Sequence, residues 1–262
     1  MKHAAKIRSA FAEGKTVIGG HLFVPEPSLS EAMAYFGYEA IWIDGEHGAF
    51  DKEKILQSIV ATEAGGAASF VRVAGNDPFL LKPVLEMGPD GIIVPMVSTP
   101  EEARRVVEAC RYPPRGRRGF GPRRAARYGA ISTAEYVAAA EAELIVTIQI
   151  EHVDGVENLP GILAVPGIDA VVIGPFDLSA SAGLLGMVDD PRMYGYYERA
   201  VAECKRARIP VGVSIGPADE SYMASWARRG LDFIFCGDEL AFMAMGAKRT
   251  LGFLREALSH TR

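Results

Sequence analysis

The sequence predicts an α/β protein in which one domain, residues 1–262, forms a closed (β/α)8 barrel of the TIM type. Three observations carry that expectation. Apolar, β-branched runs bounded by turn residues alternate along the chain with helical stretches. Several of these runs are continuously apolar, as strands buried on both faces of a parallel sheet must be. The chain is 262 residues long, close to the roughly 250 of a single barrel. An open doubly wound sheet is the alternative, but no G-x-G-x-x-G follows the first strand.

The elements follow in order. The basic N-terminal stretch lacks the apolar core of a signal peptide and reads as a first helix ended by Gly14. Strands are expected near 17–22, 39–44, 69–73, 91–95, 144–150, 169–173, 210–214 and 232–236. Helices are expected over 27–36, 51–64, 78–88, 99–110, 133–141, 190–207, 218–229 and 239–258. Ser98-Thr-Pro-Glu-Glu puts Pro100 early in a helix with acids in its first turn, and Ser132 with Glu135 has capping-box spacing. Gly183, Gly186 and the pair Gly216-Pro217 supply tight turns. The irregular stretch 111–131 carries seven arginines between Arg111 and Arg127. It reads as a solvated, subunit-facing or lid-like loop that tolerates anionic substrates.

Composition narrows the function classes. A formal charge of −5 argues against general binding to nucleic acid or anionic membranes. No run approaches the ~18 apolar residues of a membrane helix. Cys110, Cys204 and Cys236 are odd in number and far apart, so a disulfide framework or zinc site is not expected and a reducing cytoplasm is.

Side chains at the C-terminal ends of barrel strands converge on one face, where catalysis is found. Strand two ends in Asp44-Gly-Glu46-His47, strand three in Arg72, strand five in Gln149-Ile-Glu151, and strand six leads to Gly174-Pro-Phe-Asp177. Taken singly, each has a plain structural reading. Glu151 or Asp177 could cap a helix, His47 could be a satisfied structural histidine, and Arg72 could bridge Asp44 or Glu46. Their joint placement favours chemistry. Glu151 and Asp177, with waters, suit a hard divalent cation such as Mg²⁺, Mn²⁺ or Co²⁺ with positions left open for substrate. A 2-oxo acid could chelate it, with Arg72 stabilising an enolate oxygen and His47 as general acid or base. No lysine closes these strands, which weighs against a Schiff-base aldolase.

Asp44-Gly-Glu-His47, Val71-Arg-Val, Val94-Pro-Met-Val97, Arg111-Tyr-Pro-Pro114, Arg118-Gly-Phe-Gly121, Gln149-Ile-Glu151 and Gly174-Pro-Phe-Asp-Leu-Ser179 together resemble the metal-dependent (class II) pyruvate aldolases. That is the family of 4-hydroxy-2-oxoheptanedioate and 2-dehydro-3-deoxyglucarate aldolases. The resemblance implies metal ligands at Glu151 and Asp177, a catalytic His47 and an enolate-stabilising Arg72. It places Gln149 and the backbone at Phe176 against bound pyruvate. It also implies a homo-oligomer, a trimer or hexamer, with the C-terminal helical segment 239–258 packed across subunits. Two positions depart from the pattern. Glu86 stands where several members pair an aspartate with the catalytic histidine, and it is expected to approach from a neighbouring subunit. Phe176 stands where some members have alanine, which would reshape the pocket. The function implied is reversible cleavage of a 4-hydroxy-2-oxo acid to pyruvate, or a close 2-oxo acid, and an aldehyde. The rivals are a citryl- or malyl-CoA type thioester lyase and a non-catalytic 2-oxo-acid-binding subunit on the same barrel.

Overall fold

Eight parallel strands pair in chain order and close into a barrel, the first bonded to both the second and the eighth. The computed structural model describes residues 2–216 and 220–259. Pro217 of the expected turn, and the first two residues of the helix expected over 218–229, lie outside that range. The strands are β1 Val17–Leu22, β2 Ala40–Asp44, β3 Ala68–Arg72, β4 Gly91–Val94, β5 Ile145–Ile150, β6 Ala170–Ile173, β7 Val211–Ile215 and β8 Phe233–Asp238. The helices between them are α1 Lys2–Ala12, α2 Pro27–Tyr35, α3 Lys52–Gly65, α4 Pro78–Met87, α5 Pro100–Cys110 and α6 Thr133–Glu143. They continue as α7 Val153–Glu157, α8 Leu159–Leu163, α9 Pro175–Ser181, α10 Pro191–Ala207, α11 Glu220–Ala227 and α12 Glu239–Ser259.

The helix starts follow their local chemistry. Thr99 and Ser132 each close a capping box, with Glu102 and Glu135, so two orphan N–H groups are satisfied reciprocally at α5 and α6. Three short helices, α7, α8 and α9, fall where the sequence offers runs too brief for helical periodicity to register.

Period-2 alternation sorts the strands into two cores. Ala40 and Trp42, Ala68 and Phe70, Ile93, Ile145, Ala170 and Val172, Phe233 and Phe235 fill the barrel interior. Their neighbours Ile41, Ile43, Val71, Ile92, Val146 and Ile148 pack outward among the helices. A Cβ at Gly91 would lie 2.2 Å from the Phe70 ring, so a strand glycine is exchanged for an aromatic filling the axis. Ala4 and Ile7 of α1 join the inner cluster, and Phe11 packs against it, so α1 plugs the base.

An acidic residue precedes every even strand and ties it to the strand before. Glu39, Asp90, Asp169 and Asp232 accept N–H bonds from Ile18, Ser69, Val146 and Val211 at 2.9, 3.0, 2.8 and 2.9 Å. Three of the four also donate their own N–H to a neighbouring-strand carbonyl. This pins register at the base, where a one-residue slip would turn the inner side chains outward.

Three of the seven arginines of the arginine-rich stretch have structural partners, while Arg115 and Arg117 are exposed as the solvated reading expects. Arg111 bonds Asp169 at 2.8 Å, Arg118 donates to the Leu85 carbonyl and the Tyr136 hydroxyl, and Arg124 pairs with Glu63 at 2.7 Å. Arg111 and Arg118 are buried, and Arg118 lies over the Tyr112 ring. These cations hold the loop to α3, α4 and α6 and the base of β6.

Candidate active site

The inward row that fills the barrel continues to its C-terminal mouth, where it changes from apolar to polar. On β2 the row runs Ala40, Trp42, Asp44. On β3 it runs Ala68, Phe70, Arg72, and on β5 Ile145, Thr147, Gln149. The same parity puts His21 at the top of β1 and Ser214 at the top of β7. The register aligns Asp44 with Arg72 across the β2–β3 pair.

Asp44 is fully buried and is the anchor of the β2 end. Its Oδ1 accepts the N–H groups of Glu46 and His47 at 3.0 and 2.9 Å, folding the chain into a turn that presents both side chains. Arg72 donates to both Asp44 oxygens. Its Nη1 also meets Glu46 Oε2 at 2.9 Å, and its guanidinium sits 5.1 Å over the Trp42 ring. The arginine is thereby fixed in position and orientation. Burial pushes the Glu46 carboxyl up, and Arg72 opposes that shift. His47 is exposed, with Nε2 3.9 Å from Glu46 Oε2.

Across the mouth, Glu151 is buried, and Gln149 Nε2 donates to its Oε2 at 2.5 Å. Its Oε1 accepts the Met96 N–H at 2.7 Å. Met96, just past β4, has φ of 55°, a left-handed conformation uncommon for a residue with a side chain. That strain sits where the backbone must turn an N–H onto Glu151. Burial pushes the Glu151 carboxyl up to about 8. The Met96 N–H opposes this, while the charges of Asp177 and Glu46 add to it. A Cβ at Gly174 would come within 2.8 Å of both Gln149 Nε2 and Glu151 Oε2, so only glycine leaves this cradle open.

Neither carboxylate serves as a helix cap. The cap of α7 is His152 and that of α9 is Gly174, with Asp177 exposed in the first turn of α9. Among the described residues no cluster of three or more His, Cys, Asp or Glu side chains is set to hold a metal ion. The arrangement at the mouth is a smaller set, two carboxylates beside an amide. Glu151 is desolvated and crowded by like charge, and the buried Gln149 Oε1 has no hydrogen-bond partner. A divalent cation would relieve the first and could be reached by the second, so the donors fit a hard ion with water and substrate completing its shell.

A cavity of about 270 Å³ opens here, lined by His47, Arg72, Gln149, Gly174, Phe176 and Asp177 together with His21, Phe23, Ser214 and Asp238.

A family model described as HpcH/HpaI aldolase/citrate lyase matches residues 21–250. The chain belongs to this family. A 4-hydroxy-2-oxovalerate aldolase of Novosphingobium aromaticivorans is 37% identical over 253 residues, covering 96% of this chain and 95% of the relative. A 4-hydroxy-2-oxo-heptane-1,7-dioate aldolase of Shigella flexneri is 33% identical over 243 residues, covering 92% and 90%. The crystal structure of an HpcH/HpaI aldolase from Desulfitobacterium hafniense DCB-2 superposes with a TM-score of 0.88 at 29% identity, covering 95% of this chain and 96% of that one. Membership in the HpcH/HpaI family makes the chain an enzyme of the lyase/aldolase type.

Within this HpcH/HpaI barrel the structure brings His47, Arg72, Gln149, Phe176 and Asp177 to one cavity, with Glu151 held against two of its lining residues. Phe176 is exposed at its edge. Glu86 is placed elsewhere. It lies near the end of α4, which leads away from the mouth, and one of its carboxylate oxygens would be 2.9 Å from a Cβ at Gly121 of the arginine-rich stretch. That oxygen is buried without a hydrogen-bond partner. Sequence reasoning passed over His21, Ser214 and Asp238, and quoted Met96 within Val94-Pro-Met-Val97 without giving it a role. For His21 the signal was available, because it ends a strand like the residues that were chosen. The Met96 contact is a backbone contact and leaves no side-chain signature.

Proposed function

We propose that this enzyme is a divalent-metal-dependent aldolase that reversibly cleaves a 4-hydroxy-2-oxo acid to pyruvate, or a close 2-oxo acid, and an aldehyde. The observation that carries the reading is Glu151, a buried carboxylate near Asp177, held against Gln149 at a cavity that Asp177, a fixed Arg72 and an exposed His47 line. Relatives named as hydroxy-oxo-acid aldolases support it.

Glu151 and Asp177 would hold Mg²⁺, Mn²⁺ or Co²⁺. Such an ion, when bound, supplies a Lewis acid that polarises the 2-oxo group. Gln149 orients Glu151, and the backbone at Phe176 belongs to the unpaired N–H groups at the start of α9, suited to a substrate carboxylate. Arg72, held by Asp44 and Glu46, aims its charge at the oxygen that becomes negative. In cleavage, His47 takes the proton of the C4 hydroxyl, directly or through water. The C3–C4 electron pair passes into the enolate as the aldehyde carbonyl forms. A proton then returns to C3 to give the 2-oxo acid.

Incubation with EDTA should remove pyruvate release from a panel of 4-hydroxy-2-oxo acids, and added Mg²⁺, Mn²⁺ or Co²⁺ should restore it. Release that is indifferent to chelation, or absent across the panel with metal present, would sink the reading. A thioester lyase needs a site for nucleotide phosphates, and three of the seven arginines of the loop, Arg111, Arg118 and Arg124, are spent on internal partners.

Assembly is part of the same proposal. No residue of α12 is buried, although Leu240, Phe242, Met243, Met245, Leu251 and Phe253 stand along it. A helix this apolar gains from covering its surface, and a second copy of the chain is the occupant proposed here. Sedimentation should show a trimer or hexamer, and truncation after residue 238 should shift it to smaller species. A monomeric full-length chain would refute this. Free cysteines at 110, 204 and 236 fit a cytoplasmic setting. Among the described residues no helix is long and apolar enough to cross a membrane.

A further inference from the structure

The part of the cavity lined from β1, β7 and β8 has an order that the aldol chemistry above does not use. His21 is buried at the top of β1 among Phe23, Trp42 and Phe235. Its Nδ1 lies 3.1 Å from the Gly237 carbonyl oxygen, and its Nε2 lies 2.8 Å from Ser214 Oγ. A carbonyl oxygen can only accept, so Nδ1 carries the ring hydrogen and Nε2 presents a lone pair. Burial drives the imidazole down to about 4, so the ring is neutral near pH 7 and this tautomer is the one present.

The consequence falls on Ser214. Its hydroxyl hydrogen is committed to His21 Nε2, which leaves Oγ facing the cavity with lone pairs alone. Asp238, which also lines the cavity, uses Oδ1 to accept the Ala241 N–H at 2.9 Å and adds a second acceptor of negative sign. The strong cation of the cavity, Arg72, is already bonded to Asp44 and Glu46. This wall therefore offers hydrogen-bond acceptors, and among the described residues it offers no free arginine or lysine for a carboxylate.

The geometry points to a hydroxyaldehyde as the aldehyde partner, its hydroxyl donating to Ser214 Oγ, which the Gly237–His21–Ser214 chain holds as an acceptor. An acidic semialdehyde would meet like charge at Asp238. A plain alkanal would leave Ser214 Oγ and Asp238 without donors, and a site built to bond a hydroxyl rejects the analogue that lacks it. Phe23 and Phe176, which also line the cavity, supply apolar contact for the carbon chain. This inference rests on the aldolase reading and names the second substrate of that same site.

The test is aldol addition of pyruvate to paired aldehydes in the presence of Mg²⁺, with glycolaldehyde against acetaldehyde, glyceraldehyde against propanal, and succinic semialdehyde as the acidic member. The wild type should favour each hydroxyaldehyde in kcat/KM by about tenfold or more over its deoxy partner and over the semialdehyde. Ser214→Ala should bring the hydroxy/deoxy ratio to about one, and Ser214→Thr, which keeps the hydroxyl, should retain most of it. A ratio unchanged in Ser214→Ala, or a wild type that prefers propanal or succinic semialdehyde, overturns the inference. Deuterium exchange into the pyruvate methyl group separates the two levels. Exchange without hydroxyaldehyde preference defeats only this inference, whereas no exchange with metal present defeats the aldolase reading and this inference with it.

Discussion

Glu151→Ala and Asp177→Ala are each expected to lower metal-dependent cleavage by roughly 10²–10³-fold or more, the scale on which a strong electrostatic stabiliser of the transition state is lost. Steady-state pyruvate release at saturating metal measures this, and full activity in either variant would remove the metal assignment. Glu151→Gln separates function from folding. The amide keeps an acceptor for the Met96 N–H and removes the desolvated charge. Activity should fall while the metal-free protein keeps or gains thermal stability.

The pH dependence has a definite sign. The Glu151 carboxyl is raised from 4.5 to about 8 in the folded, metal-free protein. Over that window the folded state holds a proton that the unfolded chain has released. Stability is therefore lost as pH rises from 4.5 to about 8. Melting of EDTA-treated protein should show that decline, and Glu151→Gln should flatten it. A divalent cation should oppose the decline, because it binds the deprotonated carboxylate.

Arg72→Ala is expected to lose on two fronts. Turnover should drop by about 2.7–4 kcal/mol of transition-state stabilisation if the guanidinium acts as an oxyanion donor. Stability should drop by about 3–5 kcal/mol, because Asp44, fully buried, would keep its charge without its partner. Denaturant unfolding alongside kinetics distinguishes the two. The double variant Asp44→Asn with Arg72→Ala removes the stranded charge, so it should recover much of the stability and none of the turnover. Recovery of turnover in that double variant would show that Arg72 acts only as scaffold. Lysine at position 72 is a poor substitute, since it cannot reach two Asp44 oxygens and Glu46 in one planar fork.

The barrel was legible in the sequence because its signal is repetitive. Runs such as Ile145–Ile150 and Ala170–Ile173 are apolar at every position, and caps such as Ser132 with Glu135 announce their helices locally. The strand-end logic that singled out His47, Arg72, Gln149 and Glu151 needs only period 2 and a known direction of closure. Asp177 was singled out by the same logic, as the carboxylate just past strand six, but its local setting was not legible. It sits inside the first turn of a seven-residue helix that no periodicity reveals, and only the fold turns that helix toward Glu151.

The arginine-rich stretch shows where local reading ends. Seven arginines in one loop read as free charge, but the partners of Arg111, Arg118 and Arg124 lie 58, 18 and 61 residues away in sequence. No local pattern encodes such pairings. Met96 is a second case, because the useful group is a backbone N–H aimed by a left-handed φ, and a side-chain motif cannot announce it.

The sequence by itself determined that strands and helices alternate, which strand faces turn inward, and that His47, Arg72, Gln149 and Glu151 stand at strand ends. Those properties depend on neighbours a few positions apart. Only the tertiary structure decided that Arg72 is clamped by Asp44 and Glu46, that Glu151 is desolvated beside Asp177, and that His21 leaves Ser214 as an acceptor. Each of those is a charge or hydrogen-bond state set by groups that closure of the barrel brings together from separate strands. The Glu151–Asp177 pair was visible as two letters, and its chemistry comes from the burial and like charge that the fold imposes.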